Sequence, residues 1–82
     1  MSMPMAIEWK LITYGKEKRI KGQDNLFEIT FDGYKLFPLN ETIELRRNDV
    51  SDQIGSGEIV ELTWKDNTTV CKYQLISLYN VN

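Results

Sequence analysis

Eighty-two residues with 41% hydrophobic and 27% charged side chains have the make-up of one ordinary globular domain, too short for a catalytic cleft between two subdomains. The formal charge of −2, with ten Lys and Arg, twelve Asp and Glu and no histidine, argues against a dedicated polyanion binder taken as a whole. It also removes the usual general base and the commonest zinc ligand. One cysteine, Cys71, excludes an internal disulfide, and no apolar run approaches the ~20 residues that span a bilayer.

The N-terminal stretch lacks a basic segment followed by an apolar core, so no signal peptide is expected and a cytoplasmic location is the default. Met5 to Tyr14 alternates, with Met5, Ile7, Trp9 and Leu11 on one face and Glu8 and Lys10 on the other. That period of two predicts a half-buried strand, which Gly15 ends. Gly15 to Lys21 has one apolar residue among charges, which suits a lysine-blunted edge strand or a loop. Gly22-Gln23-Asp24-Asn25 is turn chemistry.

Leu26–Phe31 and Tyr34–Leu39 flank Asp32-Gly33, a two-residue hairpin signal. Its register sets Phe31 against Tyr34, Ile29 against Leu36 and Phe27 against Pro38. Thr42–Arg47 alternates with Ile43 and Leu45 inward. Asn48 to Gly57 reads as a loop. Glu58 to Tyr79 then reads as a hairpin folded at Lys65-Asp66-Asn67-Thr68, the element around which the rest is organised. The register sets Leu62 against Cys71, Val60 against Tyr73 and the opposite charges Glu61 and Lys72 against each other. Inward residues change from odd to even positions near Leu75-Ile76, which predicts a β-bulge or a strand crossing between layers. If buried, Trp64 contributes about 3–5 kcal/mol relative to alanine. The sum is an all-β fold of about six strands without a major helix, a small antiparallel barrel or two-layer sandwich of SH3-like or OB-like size.

Met1-Ser2-Met3-Pro4, Gly15-Lys16-Glu17-Lys18-Arg19-Ile20, Phe37-Pro38-Leu39 and Tyr73-Gln74-Leu75-Ile76-Ser77-Leu78 together give the chain a family likeness. It resembles a family of short uncharacterised proteins from Bacillus-like Gram-positive bacteria, classed as a domain of unknown function. The resemblance covers nearly the whole chain and implies a stand-alone bacterial protein. It carries over no catalytic or binding residue.

The chemistry-bearing candidates are few. Gly55-Ser56-Gly57 opens like a phosphate loop, but a strand follows it where a helix N-terminus is required. A turn or glycine bulge is the better reading. Cys71 lacks a partner base and reads as a core residue. Asp49 and Asp52, with Asn48 and Ser51, match no calcium loop and suit turn and capping roles. Asn40-Glu41-Thr42 and Asn67-Thr68-Thr69 fit the glycosylation pattern but read as turns where no secretion signal is found.

Charge gives the one surface candidate. Residues 1–22 carry a net +3 and the rest a net −5, which makes the first quarter basic and the body acidic. Lys16, Lys18, Arg19 and Lys21, with Tyr14 and Trp9 nearby and Arg46 and Arg47 if they share that face, form a possible binding surface. No catalytic set, cofactor site or metal site is expected. The preferred reading is a non-catalytic β-barrel module that binds another protein. The alternative is a nucleic-acid-binding barrel that tracks phosphates with segment 16–21. No membrane partner is expected.

Overall fold

Six strands form one sheet in the computed structural model, which describes residues 6–79. They are β1 (Lys10–Ile12), β2 (Lys18–Arg19), β3 (Leu26–Asp32), β4 (Thr42–Arg46), β5 (Gln53–Lys65) and β6 (Thr68–Leu78), in the spatial order β1-β4-β5-β6-β3-β2. The all-β class and the strand number are those the sequence predicts. Leu11 on β1 and Ile29 on β3 share one buried cluster with Phe37, Ile43, Leu45, Ile59, Cys71 and Tyr73. The sheet therefore curls until strands from its two halves meet over a common core. Met5, predicted to face inward, lies outside the described residues.

The longest hairpin, β5–β6, turns at Asp66-Asn67, both at positive φ (52° and 61°). That conformation belongs to the two-residue turns whose twist matches the strands they join. Leu62 opposes Cys71 and Glu61 opposes Lys72 as the alternation predicts. Val60 does not oppose Tyr73. Ile59 takes that place, and Val60 is the extra residue of a bulge. A second bulge leaves Ile76 unpaired between Leu75 and Ser77, where the sequence changes parity.

Three further expectations are corrected. Asn48 to Gly57 is not all loop, because β5 begins at Gln53 and runs through Gly55-Ser56-Gly57. The Asp32-Gly33 hairpin does not form, since its register needs the backbone groups of Phe31 and Ile29, and those odd positions of β3 already face β6. Gly33 N–H donates to Asn67 C=O at 2.7 Å, and the departing chain is fixed by the buried Thr69 hydroxyl. That hydroxyl accepts from Lys35 N–H and donates to Gly33 C=O, each at 2.8 Å. Tyr34 to Leu39 then crosses the sheet as an irregular segment: Phe37 enters the buried cluster, and isolated bridges join Leu36 to Ile7 and Leu39 to Ile59. Finally, Ile7 and Trp9 are half exposed, and among the described residues of that predicted face only Leu11 is buried.

The sheet is neither wholly antiparallel nor closed. β1 pairs with β4 in parallel, and no ladder joins β1 to β2. The cause is a conflict of phase. Trp9 C=O accepts from Glu44 N–H at 3.2 Å and Thr13 N–H donates to Arg46 C=O at 2.9 Å, so the odd positions of β1 face β4. The Tyr14-Gly15 turn, at φ 52° and 72°, sets Lys16 N–H on Thr13 C=O at 2.9 Å. A hairpin growing from that turn would need the same odd positions. β4 holds them, and β2 turns aside to β3.

Candidate binding cleft

Register separates the six basic residues that the sequence groups together. On the outer face Lys18 opposes Glu28, Glu28 opposes Lys72, and Lys72 opposes Glu61. This ladder of alternating charge crosses four strands, with Lys72 Nζ 3.4 Å from Glu61 Oε2. Lys18 is thus matched by an acid of its own fold. Arg46 is engaged as well: Nε lies 2.7 Å from Glu44 Oε2, and another guanidinium nitrogen donates to Ser51 C=O at 2.8 Å. Lys16 lines a polar hollow beside Lys18 and Glu28, and Lys21 is exposed at the following turn.

Arg19 and Arg47 are left, and the fold brings them to one place. Alternation along β2 turns Arg19 to the face opposite Lys18, where its guanidinium carbon lies 4.8 Å from the centre of the Phe27 ring. Arg47 follows β4, which lies near the other end of the strand order. Because the sheet curls, both line a cleft of ≈ 210 Å³ with a floor of Phe27, Leu45, Tyr73 and Leu75. Phe27 and Tyr73 stack, their centroids 5.5 Å apart.

Glu17 and Thr13 also line this cleft. Glu17 Oε1 is sealed from solvent without a hydrogen-bond partner. Burial raises the Tyr73 phenol well above its ordinary range, and the charge of Glu17 adds to the effect. The cleft therefore offers two cations against the one carboxylate of Glu17, with a neutral hydroxyl, above an apolar floor. That surface is complementary to an anionic group attached to an apolar one.

The other sequence candidates take structural places. Cys71 is fully buried, and burial pushes its thiol up to about 12. It is held as an inert thiol. Gly55 and Gly57 lie where β5 meets β6 so closely that a Cβ would press on the backbone of Ser77 or Gln74. Asp49 accepts from the Tyr14 hydroxyl at 2.7 Å, while Asn48 and Ser51 bond within their own turn. Asn40 and Asn67 are turn residues at positive φ. Sequence reasoning names Arg19 and Arg47 but not the floor beneath them, because the floor is assembled from β3, β4 and β6. Face alternation was the available signal for separating Arg19 from Lys18 and Arg47 from Arg46.

Comparison with known proteins agrees with this architecture. The model of a domain of unknown function, DUF2584, matches residues 1–82. The uncharacterized protein YtmB of Bacillus subtilis (strain 168) is 33% identical over 82 residues, covering 100% of both chains. The X-ray structure of Bacillus subtilis ytmB superposes with a TM-score of 0.87, covering 100% of this chain and 99% of that one. The match of the whole length, in sequence and in fold, shows that this chain belongs to the DUF2584 family.

Proposed function

We propose that this protein is a non-catalytic interaction module, and that its working surface is the cleft between Arg19 and Arg47. Its partner is another protein, one that presents a carboxylate beside an apolar side chain. The observation that carries this reading is the placing of two arginines from distant strands over the floor of Phe27, Leu45, Tyr73 and Leu75. Size supports a side-chain anchor over a metabolite. The cleft of ≈ 210 Å³ is smaller than the ~300 Å³ at which small-molecule sites begin.

A nucleic-acid partner would draw on a continuous basic strip. Here Lys18 and Arg19 face opposite sides, and Lys18 and Arg46 have acidic neighbours. Titration of the ¹⁵N-labelled protein with the peptide Ac-Leu-Asp-Leu-Asp-NH₂ and, separately, with single-stranded DNA and RNA tests the choice. The expected result is peptide-dependent shifts at Arg19, Phe27, Arg47 and Tyr73, lost in the double variant Arg19→Glu, Arg47→Glu. Nucleic-acid binding whose affinity falls with salt and maps to Lys16–Lys21 would replace this reading with the alternative.

A further inference from the structure

A second surface follows from backbone bonding alone, independently of the cleft. The ladder between β2 and β3 uses even positions of β3: Ile20 N–H donates to Leu26 C=O at 2.9 Å, and Lys18 pairs with Glu28. The odd positions face β6, as Leu75 N–H to Asn25 C=O and Gly33 N–H to Asn67 C=O show at the two ends. The next outward positions are Thr30 and Asp32. In the same register Lys16 would serve Thr30, but Lys16 N–H is bonded to Thr13 C=O at 2.9 Å. Among the described residues, no strand therefore lies beside the N–H and C=O groups of Thr30 and Asp32 that point away from β6. Next to Thr30 lies a hollow of ≈ 460 Å³ lined by Gly15, Lys16, Glu17, Lys18, Glu28 and Thr30. At about 30 Å³ per water, that is room for a short extended segment and not just a bound water.

We propose that this edge of β3 receives an extended segment of a protein partner, added antiparallel in line with β2. Charge fixes the pattern the segment needs. A guest residue opposite Thr30 lies on the outer face near Lys18, which Glu28 already opposes, and near the exposed Lys16, which has no ion-pair partner among the described residues, so it is acidic. The residue two places earlier lies opposite Asp32, so it is basic. The occupant carries a Lys-Xaa-Glu pattern, with a β-branched residue in the middle to suit the strand.

Amide hydrogen exchange and peptide titration of the full chain test this. In the free protein the amides of Thr30 and Asp32 exchange at least ~10-fold faster than those of Ile29 and Phe31, which face β6. Millimolar Ac-Thr-Lys-Val-Glu-Val-NH₂ slows and shifts the first pair. The charge-swapped Ac-Thr-Glu-Val-Lys-Val-NH₂ binds at least ~3-fold more weakly, and the preference disappears in the double variant Lys16→Glu, Lys18→Glu, which leaves the backbone of β3 untouched. Equal protection of all four amides in the free protein overturns the proposal. So does an absence of shifts at Thr30 and Asp32, equal binding of the two peptides, or shifts confined to Arg19 and Arg47.

Discussion

Ile59 and Val60 show how much depends on a single residue of phase. Strict alternation back from Leu62 predicts Val60 inward, yet Val60 is 42% exposed and Ile59 is 0% exposed. The bulge at Val60 exchanges them. Replacing Ile59 by alanine removes a side chain from the centre of the core and should cost about 2–5 kcal/mol. Val60→Ala should stay within about 1 kcal/mol. Urea melts of the two variants check this, and the reverse ranking would place the bulge elsewhere. Trp64 is also less buried than its residue type suggests, at 49% exposure, with its indole N–H on Lys35 C=O at 2.8 Å. Cys71 and Tyr73 set the response to alkali. Burial holds the Cys71 thiol neutral up to about 12, against an ordinary 9.0, so above pH 9 the unfolded chain releases that proton before the folded one does. The stabilisation is complete below the ordinary value and is lost as pH rises toward 12. Tyr73, raised above its ordinary 10.0 by burial first and by Glu17 second, acts in the same direction. The denaturation midpoint of the wild type should thus fall between pH 8 and 10.5, and the fall should be shallower in Cys71→Ala.

Elements whose partners are close in sequence are legible from the chain, and those whose partners are distant are not. The β5–β6 hairpin can be read because Leu62, Cys71, Glu61 and Lys72 must all agree with one turn, and they do. The parity change near Leu75-Ile76 is readable for the same reason. The Asp32-Gly33 signal misleads because a turn residue states only that the chain bends. Gly33 does bend, at φ 77°, but β6 already holds the odd positions of β3 that the hairpin would use, and no local feature announces that competition. Gly55 and Gly57 read as loop by composition, while in the fold they let β5 approach β6. A Cβ at Gly55 would collide with Ser77 C=O and Leu78 Cα. Gly55→Ala should therefore destabilise by about 2–3 kcal/mol, measured by thermal or urea unfolding, although alanine is the better residue in most strands.

At the scale of the molecule, the phase conflict at Thr13 explains both the open sheet and the cleft. Pairing of β1 with β4 leaves β2 free to turn its charged residues to opposite faces. Lys18 joins the outer ladder with Glu28, Lys72 and Glu61, and Arg19 comes over Phe27 facing the region of Arg47. The basic first quarter is plain in the sequence and alternation divides Lys18 from Arg19, but the floor that Arg19 meets depends on a strand order that no local pattern encodes. Photo-crosslinking from position 78 tests the central claim most directly. Leu78 lines the cleft and is 67% exposed, so a photoreactive residue there leaves the core intact. In the native host, the cleft account predicts a specific protein adduct at that position, absent in the Arg19→Glu, Arg47→Glu variant. A nucleic-acid adduct, no adduct, or a protein adduct that persists in the double variant would contradict it.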